Sequence, residues 1–218
     1  MTLLLAIWAV VTSCQPAETL EFPAPQPGDR VAVFLTGDGG WRPVDREITK
    51  TLAANGVSVV GISTPEYFAK RRTAEGSACA LADVIRKYQQ RWNAPKVMVI
   101  GFSRGADVAP FMVNRLPVDV RTAVQLVALL GPEPTINFEY HPFWSIFRYI
   151  RHPPMFPVMP EIQAMRGLNV ICVYGANESD SLCPALDPSQ FKIVREPGGH
   201  HYGGHYDEVA KAILDASR

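Results

Sequence analysis

The chain has 218 residues, 47% of them hydrophobic and 19% charged. That is enough apolar material for one domain with a substantial core, and it excludes a disordered chain. Lys plus Arg number 21 and Asp plus Glu number 21, so the formal charge is zero. This argues against a nucleic-acid binder held by a broad basic surface.

Leu3 to Val11 is an unbroken apolar run. It is too short to span a membrane, which takes about 20 residues, and it suits the apolar part of a secretory signal. Val11-Thr12-Ser13-Cys14 resembles the cleavage box of bacterial lipoproteins, in which the cysteine becomes the lipidated first residue. The expected organisation is a signal peptide over 1–13, lipidation at Cys14 and a tether over 14–29. One domain follows over 30–218. An ordinary cleaved signal is the alternative. Pro16, Pro23, Pro25 and Pro27 make the tether extended.

From there strands and helices alternate. The apolar, β-branched run Arg30–Leu35 predicts a strand. Val44, Ile48 and Leu52 predict a helix over Pro43–Asn55, with Pro43 in its first turn and Gly56 at its stop. Val57–Ile62 reads as a strand buried on both faces. Leu81, Ile85, Tyr88 and Trp92 share one side of a helix over Ala74–Trp92. Lys96–Ile100 is a strand leading into a helix over Ser103–Arg115. Ala123–Leu130, Leu168–Tyr174 and the weaker Gln190–Arg195 are further strands, and Asp207–Ala216 is the last helix. This alternation implies an α/β fold: a mostly parallel sheet with helices on both faces. Residues 131–160 break the rhythm, with seven prolines and seven aromatic rings in thirty positions. They read as a lid-like insertion, with irregular surface packing as the alternative.

Beyond Cys14 there are Cys79, Cys172 and Cys183. In an oxidising compartment the favoured pair is Cys172 with Cys183, a strand residue and one in the loop after it, leaving Cys79 free. Three reduced, buried thiols are the alternative.

Four segments carry chemistry. Gly101-Phe102-Ser103-Arg104-Gly105 places G-x-S-x-G between a strand and a helix, the setting of a nucleophile elbow. Ser103 would project from a strained turn, and the Arg104 N–H would face an oxyanion. Thr36-Gly37-Asp38-Gly39-Gly40-Trp41, after the first strand of the domain, can present a second donor at Asp38, with Gly39 in reserve. Neither a phosphate loop nor a dinucleotide fingerprint is present there. After the strand ending at Tyr174, Asp180 is the leading acid and Glu178 the reserve. In Pro197-Gly198-Gly199-His200-His201-Tyr202, His200 leads as general base with His201 in reserve. A metal held by His201 and His205 is disfavoured, because Gly203 and Gly204 break any helix that would align them; neither a metal nor a cofactor is expected. Trp41, Phe102 and Tyr202 in these stretches, together with Tyr67 and Phe138, are candidate substrate contacts. Lys70, Arg71 and Arg72 read as a solvated charge run, with a lipid phosphate as the alternative ligand. The order Ser103, Asp180, His200, each just after a strand, is that of the α/β-hydrolases.

Across residues 31 to 215 the chain resembles the bacterial virulence protein VirJ/AcvB family of α/β-hydrolases. The resemblance lies in T-G-D-G-G-W (36–41) with Asp45, G-I-S-T-P-E-Y-F (61–68) with Arg72-Thr73, and G-F-S-R-G-A-D-V-A-P-F (101–111). F-E-Y-H (138–141), C-V-Y-G (172–175), E-S-D-S-L-C-P (178–184) and P-G-G-H-H-Y (197–202) complete it. The chain departs from that pattern at Arg104, usually aromatic in the family, at Ala69, where the family has Trp, and in Gly203-Gly204-His205, where the family is acidic. The resemblance implies periplasmic hydrolysis of aminoacylated phosphatidylglycerol, notably its lysyl ester, by a Ser-His-Asp acyl-enzyme. It also supports the Cys172–Cys183 pairing. The implied partners are the aminoacylated phospholipid or another ester and a membrane surface reached through a lipid anchor, with no nucleic acid. The second reading is a hydrolase-fold scaffold that binds proteins of an envelope secretion system.

Overall fold

A computed structural model describes residues 14–140 and 154–218. The expected signal peptide and the middle of the expected lid lie outside the described residues. The strands are β1 (Leu20–Phe22), β2 (Arg30–Leu35), β3 (Ser58–Ile62), β4 (Lys96–Phe102) and β5 (Val124–Leu130). They continue with β6 (Thr135–Ile136), β7 (Phe156–Pro157), β8 (Val170–Gly175) and β9 (Lys192–Glu196). The helices are α1 (Pro43–Ala54), α2 (Thr64–Tyr67), α3 (Ala74–Trp92), α4 (Arg104–Asn114), α5 (Val118–Arg121), α6 (Met159–Gln163) and α7 (Tyr206–Ala216).

Seven strands form one sheet in the order β1-β3-β2-β4-β5-β8-β9. All its pairings are parallel except that of β1 with β3. Parallel pairing forces each chain return across a face of the sheet, so both faces are covered and the central strands are apolar throughout. The pleat divides β2 accordingly. Val31, Val33 and Leu35 join α3 and α4 in one core, while Ala32 and Phe34 join α1 and α7 in the other. α3 has the predicted bounds because both ends are fixed. The Thr73 hydroxyl accepts from Gly76 N–H, and Asn93 takes a left-handed conformation after the last turn.

Two features differ from the sequence reading. Residues 20–22, inside the expected tether, form the antiparallel edge strand β1 on β3. The segment before it is fastened to α3 by a Cys14–Cys79 disulfide and a Thr19–Tyr88 hydroxyl contact, and β1 itself by a Glu21–Arg91 ion pair. The expectation of a free Cys79 is therefore corrected. The same bond occupies the sulfur at which Cys14 would carry a lipid. The expected Cys172–Cys183 pair is present, with both residues fully buried. The described ends of the lid-like segment are ordered, with β6 and β7 forming a small antiparallel ribbon. No helix among the described residues is long and apolar enough to cross a membrane.

α4 lies close against the sheet. Its entire length except Asn114 is buried, and a Cβ on Gly105 would fall 2.1 Å from the Leu35 carbonyl oxygen. Backbone cannot yield there as a flexible side chain could. Gly105→Ala should therefore lower stability by about 3 kcal/mol, the upper end of ordinary overpacking, read as a drop in the urea unfolding midpoint with unchanged slope. An unaltered midpoint would contradict this packing.

Candidate active site

The C-terminal ends of the parallel strands meet at one edge, where register sets Leu35 beside Gly101, Phe102 beside Leu130 and Gly175 beside Glu196. Open α/β sheets bind ligands at this edge. The four loops singled out in the sequence all leave from it.

β4 ends at Phe102, and Ser103 follows at φ 52° and ψ −122°, a region sparsely populated by residues with a side chain. The turn is held on both sides. Ser103 N–H donates to Leu130 O (2.8 Å), and Ser103 O accepts from Asp107 N–H (3.0 Å). Arg104 is the first residue of α4, so its N–H has no partner within the helix. Ser103 lines a cavity of about 210 Å³ together with Gly37, Asp38, Phe102, His200 and His201.

His200 Nδ1 lies 2.5 Å from Glu178 Oε1. The other oxygen, Oε2, accepts from Gly175 N–H (3.0 Å). Glu178 is nearly buried, at 6% side-chain exposure, against 30% for His200. The Glu178 hydrogen bond raises the His200 pKa above 6.5, against the opposing effect of burial. His201 shows the opposite shift, because burial and the neighbouring His200 cation both disfavour its charged form. The histidine paired to a carboxylate is thus His200, the leading choice, and not His201.

The carboxylate beside His200 is Glu178, the reserve, and not Asp180. Asp180 accepts from the Ser179 hydroxyl in an exposed position (3.0 Å). The reason is local. Glu178 N–H donates to Gly175 O, closing a turn directly after β8, so the longer glutamate side chain folds back toward β5 and β9. By Asp180 the chain is already heading for Cys183, which is tied back to Cys172 in β8. Gly131, just after β5, makes room for the pair. It has φ 63°, and a Cβ there would lie 2.7 Å from Glu178 Oε1 and 2.9 Å from His200 Nδ1.

The glycine-rich loop lies against the serine: a Cβ on Gly37 would be 3.2 Å from Ser103 Cβ. Gly40 N–H donates to Gly37 O (3.0 Å), so Asp38 and Gly39 are the central residues of a turn. Asp45 anchors the start of α1, accepting from Arg42 N–H (2.8 Å), and it also lines the cavity. Burial pushes its carboxyl up to about 6, against the lowering effect of backbone donors from Arg42, Asp45 and Gly37. Sequence reasoning placed Asp45 in a motif without giving it a position in the site. It likewise missed Asp107, one turn into α4, whose buried carboxylate accepts from Glu133 N–H (2.7 Å). Burial raises the Asp107 pKa well above its usual value.

Of the aromatic candidates, Phe102 lines the cavity at Ser103, its ring 5.0 Å from that of His200. The others do not, among the described residues. Trp41 packs between Phe22 and Phe34, over Gly61. Tyr67 is buried edge-on to Phe68 beneath the Arg72 guanidinium. Tyr202 is fully buried among the residues packed against α1 and α7. Phe138 lines a second cavity, of about 310 Å³, with Phe111, Phe156, Arg71 and Arg72. The group of ligand-type atoms spaced for a metal ion among the described residues is Cys14, Cys79 and Asp83, and both sulfurs there are in a disulfide.

A family profile described as "Bacterial virulence protein (VirJ)" matches residues 29–218. Among solved structures, Est1E from Butyrivibrio proteoclasticus with bound ferulic acid superposes with a TM-score of 0.64 at 13% identity. That alignment covers 95% of this chain and 97% of the other. A monoacylglycerol lipase from Paleococcus ferrophilus gives a TM-score of 0.61 at 12% identity, covering 93% and 100%. A thioesterase domain from the curacin biosynthetic pathway gives 0.56 at 14%, covering 90% and 94%. These likenesses establish the α/β-hydrolase fold. No curated protein matches the chain in sequence.

Glu178→Gln should lower kcat/KM on any ester the protein cleaves by up to about 10⁴, the loss when an orienting carboxylate becomes an amide. His200 must be neutral to take a proton, and Glu178 holds its pKa up. Removing that charge should therefore move the acid limb of the pH–rate profile to lower pH. Asp180→Asn should leave both rate and profile near wild type; the reverse pattern would restore Asp180 as the acid.

Proposed function

As the chain belongs to the bacterial virulence protein (VirJ) family, we propose that it is an exported serine hydrolase that cleaves esters through an acyl-enzyme. Its proposed substrate is aminoacyl-phosphatidylglycerol, the lysyl ester foremost. The observation that carries the chemistry is the Glu178–His200 hydrogen bond at the cavity that Ser103 enters from a strained turn. Ser103 Oγ attacks the carbonyl carbon joining lysine to glycerol while His200 Nε2 takes its proton. Glu178 holds the imidazole in the tautomer that leaves Nε2 free and stabilises the cation formed. The N–H groups of Arg104 and Asp38 hold the oxyanion. His200 then returns the proton to the departing glycerol oxygen, and water, activated by His200 in turn, releases the amino acid from Ser103. Nothing in this cycle needs a metal or an organic cofactor.

A monoacylglycerol lipase and a thioesterase domain among the similar structures fit acyl transfer of this kind. The second cavity supports a lipid substrate: Phe111, Phe138 and Phe156 offer an apolar surface beside the cations of Arg71 and Arg72. Arg72 donates from Nε to Tyr67 O (2.9 Å), which leaves its outer N–H groups for a phosphate. Two disulfides fit an oxidising compartment such as the periplasm. A membrane anchor would use the Cys14 sulfur in place of its bond to Cys79, so an anchored form would carry Cys79 as a free thiol.

An active-site fluorophosphonate should label the wild type and leave Ser103→Ala unlabelled. A panel of aminoacyl-phosphatidylglycerols should then release amino acid, lysine fastest. Folded wild type that takes no label would turn the reading to a hydrolase-fold scaffold that binds proteins of an envelope secretion system. Cleavage of simple acyl esters without release of amino acid from any member of the panel would overturn the substrate.

A further inference from the structure

We propose that the side chains of the two oxyanion-donating residues are strapped to each other, and that the Arg104 guanidinium is a positioning residue setting the Asp38 N–H. This rests on the ester-hydrolase reading above.

Arg104 directly follows the nucleophile, so its backbone and its side chain are tied to the same strained turn. The side chain is 10% exposed, and Nε donates to Asp38 Oδ1 across a sequence gap of 66 residues. Nη1 donates to Asn137 O (3.1 Å), and the guanidinium lies 5.1 Å from the Tyr140 ring centroid. Three neighbours thus contact the cation, a set that an exposed arginine would not keep.

Among the described residues, the loop it grips is otherwise fastened at its base. Thr64 N–H donates to Thr36 Oγ1 (3.1 Å), and Thr64 Oγ1 donates to Thr36 O (2.9 Å). Asp45 secures the far side at Arg42. Between these points the turn tip, Asp38 and Gly39, is exposed. Among the described residues, the Asp38 carboxylate attaches that tip to the rest of the protein through Arg104. A flexible tip would let the Asp38 N–H wander by fractions of an ångström. An oxyanion donor is effective only when its position is set before the charge develops. The strap links the two donors through their own side chains, so the Asp38 N–H is held in register with the Arg104 N–H and hence with Ser103.

The test uses wild type, Asp38→Asn, Arg104→Gln and the double variant, with a short water-soluble ester and a peptide-free trifluoromethyl ketone. With the ketone, Ser103 Oγ bonds to the carbonyl carbon, the C=O π bond opens to an oxyanion, and the Ser103 proton moves to His200. The adduct therefore reports on the oxyanion site without turnover. The strap predicts that each single variant loses about tenfold in kcat and about tenfold in ketone affinity, with KM within about twofold. It also predicts that the double variant is no worse than the poorer single, because one link has been cut twice. Arg104→Lys should recover part of the loss through Asp38. Losses that multiply in the double variant, that fall on KM alone, or that spare ketone affinity overturn the proposal. Asp38→Asn lies on an exposed turn and should melt with wild type, so it carries the test even if Arg104→Gln does not fold. Wild type inert to both reagents overturns the hydrolase reading and the strap together; active wild type with unaltered variants overturns the strap alone.

Discussion

The geometry of the site depends on one backbone turn. Ser103 sits at a positive φ with a full side chain, a conformation that costs about 1–3 kcal/mol and persists only where surrounding structure imposes it. Here the imposing structure is the packing of α4 onto the sheet. Gly101 and Gly105 bring the helix so near β2 and β4 that no side chain fits between, and the buried face of α4 fills the core on that side. The serine is thus held out by the same contacts that stabilise the domain. Relaxing the turn would lift α4 away from β2 and open the core beneath it.

Everything else in the site is brought to the serine by the ends of other strands. β2 delivers the glycine-rich loop, β8 delivers Glu178, and β9 delivers His200. Gly131 at the end of β5 keeps the space between them clear. Because the strands are parallel, these ends share one edge, and sheet register alone sets their heights. The fine adjustments are polar: Thr36 with Thr64 at the base of one loop, Glu178 with Gly175 N–H at the base of another. Asp45 and Asp107 are buried carboxylates that hold backbone N–H groups next to the site without touching the Glu178–His200 pair.

The sheet and the elbow were legible because each has a local signature. β2, β3, β4, β5 and β8 are apolar runs, α3 has a threonine cap, and G-x-S-x-G falls between a strand and a helix. What could not be read depended on contacts distant in sequence. β1 is three residues with a glutamate at its centre, and only its antiparallel pairing with β3 makes it a strand. Trp41 sits in a motif that suggested substrate contact, yet its ring fills the space left over Gly61. Glu178 and Asp180 are two positions apart with the same chemistry, and the choice between them lies in the turn at Gly175. Cys79 pairs with a residue 65 positions away, a separation that carries no local cue. The resemblance to known sequences added the acid-bearing stretch as a unit and, in implying a Ser-His-Asp enzyme, pointed to Asp180, whereas the carboxylate beside His200 is Glu178.

The Cys172–Cys183 bond encloses Glu178 within a covalent ring, both sulfurs buried beside β8. His200 has no such clasp. Its loop follows β9, an edge strand whose residues are all at least partly exposed. Edge strands open locally at a lower free energy than the centre of a sheet. The acid and the base therefore belong to parts of the chain with different tendencies to open, and their hydrogen bond spans that boundary. Under mild heat or denaturant the histidine's loop should open before the ring that holds Glu178. Any activity that rests on this pair would then be lost below the melting point of the fold, at a temperature set by β9.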